Sequence, residues 1–183
     1  MLQNKIIIAV SGTPGTGKTM LSKMIVSMLR DVNIKAFRLD ITDFAKKEKF
    51  YDYYDDESES YVVDENKLSD AFVKFVKDEN SDVFVLDGHM SHLISKDIVD
   101  LVIVTLCNIS VLKRRLSERG YGEGKIRENI DSEIMRICLN ESYDEGHAVI
   151  EIDSTDKNSE TYVLRSKEIY KRILGICKKN HLL

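Results

Sequence analysis

Apolar and β-branched residues gather in five short runs along the chain: KIIIAV (Lys5–Val10), IKAFRL (Ile34–Leu39), DVFVLD (Asp82–Asp87), LVIVTL (Leu101–Leu106) and AVIEI (Ala148–Ile152). Apolar positions are nearly continuous within each run, the pattern of strands covered on both faces of a parallel sheet. Between the runs, apolar residues recur at helical spacing. Met20, Leu21, Met24, Ile25 and Met28 share one helical face. Leu68, Ala71, Phe72, Phe75 and Val76 share another, with Asp64 placed to cap it, and Val111, Leu112 and Leu116 form a shorter stripe. Ile126, Ile130, Ile134, Ile137 and Cys138 predict a long helix, and Val163, Ile169, Tyr170, Ile173 and Cys177 a closing one. Alternation of this kind predicts an α/β fold with a doubly wound parallel sheet. Two stretches break the pattern. Tyr51–Tyr61 (YDYYDDESESY) is acidic and aperiodic, and Gly120–Gly124 (GYGEG) reads as a flexible turn between helices.

Composition narrows the reading. With 183 residues, 43% of them hydrophobic, the chain can build one core without staples, and no linker or repeat divides it, so one domain over residues 1–183 is expected. A net charge of −4 argues against broad nucleic-acid binding, and no sequence-specific nucleic-acid contact is expected. Cys107, Cys138 and Cys177 are far apart and form no CxxC, which suggests neither a zinc site nor a disulfide framework, but thiols in a reducing compartment. No apolar stretch is long enough to span a bilayer, and Ile6–Val10 is too short for a signal peptide; a cytoplasmic protein with no membrane partner is the expectation.

Chemistry concentrates where the first run ends. GTPGTGKT (Gly12–Thr19) fits G-x-x-x-x-G-K-[ST], with a strand before it and a helix after. Residues without Cβ let backbone N–H groups turn inward around a polyphosphate, and the helix adds its free N–H groups and positive end. Lys18 supplies a mobile charge for the β- and γ-phosphates of ATP, and Thr19 a hydroxyl for Mg²⁺. A dinucleotide loop needs G-x-G-x-x-G, which the spacing of Gly12, Gly15 and Gly17 does not match. Asp87, ending VFVLD, is the candidate second metal ligand. His89 follows two residues later, either as a base or water-orienting group, or as a structural histidine bonding backbone. His92, His147 and His181 read as surface or structural. Arg114, Arg115, Arg119, Lys125 and Arg127 cluster about the glycine-bracketed turn, where guanidinium groups could close over ATP; the competing reading is a solvated face with Glu118, Glu123 and Glu128. Arg119 is the best placed.

GTPGTGKT, FAKKEKFYDYYDDE, YVVDENKL, LDGHMSH and RLSERGYGEGKIRENIDSEI together resemble the adenylate-kinase-like family of archaeal and nuclear P-loop NTPases, the family of the coilin-interacting nuclear ATPase. The resemblance spans roughly Lys5–Glu151. Its specific part is the Tyr-Asp-x-Tyr-Asp acidic run with ERGY…KI…N, since many NTPases share the first motif. It implies a nucleoside monophosphate kinase fold with strand order 2-3-1-4-5, adenylate kinase and ATPase activities with ATP and Mg²⁺, and, in eukaryotic members, binding of a small-subunit ribosomal protein. By the same resemblance Gly15, Gly17, Lys18, Thr19 and Met20 line the ATP phosphates, and the loop motif itself adds Gly12 and Thr16 as cofactor-binding residues. Arg119 reaches the nucleotide from a lid over 118–128 and Lys157 lies near the adenine; Arg115, from the basic cluster about the turn, is a further candidate nucleotide-binding residue. Residues 43–66 form the monophosphate segment, with Asp40, Lys46 and Asp64 as acceptor-site residues. Asp87 and His89 match an Asp-x-His motif tied to ATP turnover. Two departures stand out. Gly88 replaces a bulky aromatic of eukaryotic relatives, so His89 is expected to be held less rigidly. Lys46 stands where relatives often carry arginine, and lysine cannot grip a phosphate bidentately.

Three functions follow as expectations. One is an adenylate kinase running ATP + AMP to two ADP, with AMP or another nucleoside monophosphate as acceptor. Another is an ATP-driven assembly factor whose acidic stretch Asp52–Glu59 attracts a basic small-subunit ribosomal protein, as against a merely solvated loop. The third is a kinase of some other small metabolite.

Overall fold

The computed structural model of the chain describes residues 2, 5–48, 51–55 and 60–183. The apolar runs form the sheet: β1 (Ile6–Ser11), β2 (Ala36–Asp40), β5 (Val83–Asp87), β6 (Leu101–Leu106) and β7 (Val149–Asp153) lie parallel in the order β2-β5-β1-β6-β7. Counting only these five in chain order, this is 2-3-1-4-5. Register brings three strand ends level: Val10 pairs with Asp87, and Asp87 with Asp40. The crevice beyond the carboxyl ends of such a sheet is where α/β folds place ligands.

Side chains alternate to the two faces, which explains the unbroken apolar runs. Ile6, Ile8, Val10, Val83, Val85 and Ile103 pack against α1 (Lys18–Asp31) and α7 (Glu160–Lys179) through Leu21, Ile25, Leu29, Ile169 and Ile173. Ile7, Ala9, Phe84, Leu86 and Val102 face α2 (Ile41–Glu48) and α3 (Glu65–Asp78) through Ile41, Phe44, Leu68 and Phe72. Burial of each such side chain contributes about 1.5–3 kcal/mol. A smaller cluster of Leu112, Leu116 and Ile126 joins α4 (Ile109–Glu118) to α5 (Glu123–Ile134), with α6 (Ile137–Asp144) following. Asp64 caps α3 as its sequence position suggests, accepting from the N–H groups of Asn66 and Lys67.

The structure departs from the periodicity at several points. In α1 the buried stripe is Leu21, Ser22, Ile25, Val26 and Leu29, because Lys18 must also point inward; Met20 is 36% exposed. The long helix is two. Arg136 takes φ 50°, ending α5, and Ile134 and Met135 are left 61% exposed before α6 begins. No glycine or proline announces that break. In α7 the inward residue is Tyr162, not Val163. Helix α2, unmarked by a long stripe, forms because the Asp40 carboxylate accepts from the N–H groups of Thr42 and Asp43 and buries Ile41 and Ala45. The acidic stretch holds an antiparallel ribbon, β3 (Tyr51–Asp55) with β4 (Ser60–Val63), apart from the main sheet. Residues 56–59 of the acidic stretch lie outside the described residues.

Candidate active site

The Gly12–Thr19 loop leaves β1 and enters α1 directly. Gly17, at φ 102°, caps α1 in the left-handed region, which turns the chain sharply enough for the next N–H groups to face outward. The backbone N–H groups of Gly15, Gly17, Lys18 and Thr19 donate to no acceptor among the described residues. A row of free donors at a helix N-terminus fits an anion. Three hydroxyls tie the loop down. Thr16 Oγ1 pairs with Thr105 Oγ1 at 2.6 Å and reaches Thr13 O at 2.8 Å, while Ser154 Oγ donates to Thr16 O. Lys18 Nζ donates to Gly12 O at 2.7 Å and Thr13 O at 3.0 Å. Burial, offset in part by Cys138 and Asp87, pushes its ammonium down from 10.5 to about 8. A polyphosphate would supply the counter-charge that backbone carbonyls give only as dipoles.

Beside the loop lies a cleft of about 830 Å³, toward the upper end of the roughly 300–1,000 Å³ typical of small-molecule sites. Thr13, Pro14, Lys18 and Thr19 of the loop line it together with Asp40, Thr42, Asp43 and Lys46 of the α2 segment. Asp87, Gly88 and His89 of the strand end and Arg119, Tyr121 and Lys125 of the α4–α5 turn line it too, and α5 and α6 add Asn129, Cys138 and Glu141. His89 lines the cleft with its ring exposed to it; crowding by the cleft walls and then the charges of Lys18, His92 and Lys125 push its imidazole down from 6.5 to about 4, against the pull of Asp40. It is therefore neutral at pH 7, able to accept or donate one hydrogen bond on each side of the ring. The glycine before it leaves no open space: a Cβ at Gly88 would crowd Ile41 Cγ2 at 2.5 Å. Among the described residues no cluster of three His, Cys, Asp or Glu could cage an ion. Thr19 and Asp87 line the same cleft, and a hydroxyl beside a carboxylate is the kind of donor set that Mg²⁺ takes when phosphate oxygens and waters complete its shell.

Other predicted residues fall elsewhere. Arg115 does not line the cleft. Its guanidinium donates to Ser154 O at 2.9 Å, Thr155 O at 3.1 Å and Gly15 O at 3.4 Å, fastening the loop to the segment after β7. Lys157 stands on that segment, with its Cε 3.7 Å from where a Gly17 Cβ would be, and burial followed by the Arg115 charge lowers its pKa. Met20 lies on the outer face of α1, and Asp64 is engaged in capping α3; neither lines the cleft. His92, unlike these, does line the cleft: it is buried in its wall, with Nδ1 2.7 Å from Ser11 Oγ and Nε2 2.8 Å from Glu141 Oε2. His147 is buried too and bonds to His92 O, which leaves His181 exposed.

Sequence reasoning missed Glu133. Its Oε2 accepts from Thr13 Oγ1 at 2.5 Å and its Oε1 from Cys107 N at 2.7 Å, so α5 is bolted to the phosphate loop. Burial raises its pKa, against those two hydrogen bonds. A signal existed: Glu133 lies seven residues after Ile126, on the same inward stripe, where an acid is unusual. Arg38 was also missed, a charge between the apolar Phe37 and Leu39 of β2.

A sequence profile described as an AAA domain matches residues 8–136. The chain is 42% identical over 157 residues to the Methanocaldococcus jannaschii protein named "Putative adenylate kinase", covering 85% of this chain and 81% of that one. This chain belongs to the adenylate-kinase-like family of archaeal and nuclear P-loop proteins. A eukaryotic member, "Adenylate kinase isoenzyme 6 homolog FAP7" of Saccharomyces cerevisiae, is 37% identical over 153 residues, 82% of this chain and 74% of that one. The solved structure titled "Crystal structure of APE1195" superposes with a TM-score of 0.55 over 95% of this chain and 97% of that one; at 14% identity the likeness concerns the fold alone. Membership in the family makes the cleft that of a nucleotide-kinase-like P-loop protein. No helix among the described residues is long and apolar enough to cross a membrane.

Proposed function

We propose that the chain is a Mg²⁺-dependent adenylate kinase with ATPase activity, converting ATP and AMP to two ADP in the cytoplasm. One observation carries this: a single cleft collects the phosphate loop, the α2 segment with Lys46, the Asp87–His89 pair and the lid cations Arg119 and Lys125. In this reading the loop N–H groups and Lys18 hold the ATP phosphates, and Arg119 and Lys125 approach the transferring group from the lid. Lys46 receives the acceptor phosphate. Thr19 and Asp87 hold Mg²⁺, which when bound neutralises charge on the phosphate oxygens. His89, neutral and within the same cleft, orients the acceptor oxygen or a water. Catalysis is then chiefly positioning and charge stabilisation. The names of the relatives support the adenylate-kinase reading.

The test is ADP formation from ATP and Mg²⁺ with a panel of monophosphates and hydroxyl acceptors. AMP-dependent release of two ADP per ATP supports the proposal. ADP formation indifferent to every acceptor leaves only hydrolysis and removes the kinase assignment. A hydroxyl acceptor preferred over all monophosphates moves the chain to the small-metabolite kinases.

A second reading rests on the β3–β4 ribbon, a two-stranded sheet standing apart from the core sheet in a stretch rich in Asp and Glu. An acidic stretch that follows the α2 segment directly in sequence suits a basic partner better than an anionic substrate, which favours an ATP-driven assembly factor for a small-subunit ribosomal protein. Pull-down with basic small-subunit ribosomal proteins should capture the chain; failure to capture it with the acidic residues intact refutes this reading.

A further inference from the structure

β2 carries a charge that none of the chemistry above uses. Arg38 lies two residues before Asp40, level with Val85 of β5, and its Nη1 donates to Asp87 Oδ2 at 2.5 Å. The Asp87 side chain is 2% exposed and that of Arg38 29%. Arg38 is the one described residue that donates to the Asp87 carboxylate. An enclosed carboxylate is costly to leave without a cationic partner. Arg38 does not line the nucleotide cleft; it borders a separate shallow groove with Lys23, Arg30 and Phe37. The guanidinium therefore reaches Asp87 from one side, and the cleft reaches it from another.

We propose that Arg38 is a stand-in cation for the phosphate site. It neutralises Asp87 while no divalent ion is bound, and it competes with that ion for the same carboxylate. Arg38 thereby sets how strongly nucleotide binding depends on metal. The inference rests on the reading of Thr19 and Asp87 as the metal-holding pair. A bare Asp87 would repel an incoming triphosphate, and Arg38 removes that repulsion, so nucleotide can enter before metal. Arginine suits the task because it does not lose its proton; only displacement by another cation frees the carboxylate. Its outward groove gives the displaced side chain a place in solvent clear of the nucleotide.

The test is calorimetric titration of a non-hydrolysable ATP analogue, with EDTA and with saturating Mg²⁺, in the natural chain and in Arg38→Met, which keeps an apolar stem and removes the charge. The quantity read is the ratio of the two affinities. Arg38→Met should raise that ratio about tenfold, by weakening metal-free binding while binding with Mg²⁺ holds or tightens; partial exposure of Arg38 keeps the effect well below the full attraction of a close ion pair. A purely structural role would weaken both titrations together, so an unchanged or smaller ratio overturns the proposal. Arg38→Lys, which keeps the charge but not the fork, should raise the ratio less and in the same direction, and it decides the matter by that sign if Arg38→Met does not fold. If the natural chain binds the analogue equally with and without Mg²⁺, the metal-pair reading fails and takes this inference with it. If it binds in neither condition, the phosphate site itself is refuted.

Discussion

Substituting Gly12 with alanine tests whether the phosphate loop is held by backbone shape. Gly12 sits at φ 134°, a region that side-chain-bearing residues rarely enter, and forcing one there costs of order 1–3 kcal/mol. The added Cβ would also fall inside van der Waals contact of the Thr105 carbonyl oxygen and 2.7 Å from Thr105 Oγ1. Neither atom yields easily: the first is backbone in β6, and the second pairs with Thr16 Oγ1 and donates to Ser11 O. Strain and overpacking together bring the loss to about 3 kcal/mol or more. In a chain of this size that lowers the melting temperature by roughly 6–12 °C. Thermal melts followed by circular dichroism measure the loss, and titration with a fluorescent ATP analogue should show binding weakened as well. Gly175→Ala is the internal control. Gly175 is exposed within α7 and a Cβ there meets nothing within 4 Å, so alanine should stabilise by about 1 kcal/mol. The reasoning is refuted if Gly12→Ala melts within a degree or two of the natural chain with native nucleotide affinity, or if the two substitutions shift the melt in the same direction.

Three further outcomes are expected. Phe72→Ala empties a fully buried ring position between α3 and the sheet and should cost about 3–5 kcal/mol by urea denaturation; a loss under 1 kcal/mol would mean that face is not close-packed. Lys18→Ala should cut ATP turnover by at least about 100-fold, the order seen when a preorganised charge partner is removed, while relieving a desolvated ammonium and so leaving the melt nearly unchanged; activity near the natural level would disprove its role. Glu133 holds its proton more tightly folded than the ordinary 4.5, because of burial, so the stability it contributes is complete below about pH 4.5 and is lost as pH rises through the raised value. Glu133→Gln does not titrate there, so the melting-temperature difference between natural chain and variant should shift against the natural chain between pH 4 and 7; a difference flat with pH contradicts the assignment.

Much of this molecule is written locally. The central strands β1, β5 and β6 are buried on both faces and so almost wholly apolar, while the partly covered edge strands β2 and β7 admit Arg38 and Glu151; the five runs still announced the parallel sheet and its strand ends to within a residue or two. The phosphate loop is contiguous, and glycine spacing, lysine and threonine are all visible in eight residues. Periodicity also placed most helices, yet it could not place the break at Arg136, because a left-handed residue other than glycine is imposed by packing rather than by its own preference. The acidic stretch looked shapeless for the opposite reason: its ribbon comes from cross-strand pairing rather than from an apolar stripe.

What the fold alone decided is which distant charges meet. Arg38 and Asp87 are 49 residues apart and Thr13 and Glu133 are 120 apart; no local pattern links either pair. Strand register brings the first two together, and the seat of α5 against the loop brings the second two. Hydrophobic burial is nearly non-directional and needs only the right residue type at the right period, so it can be read along one dimension. Ion pairs and hydrogen bonds depend on separation and angle to within fractions of an ångström, and only the assembled three-dimensional packing supplies those.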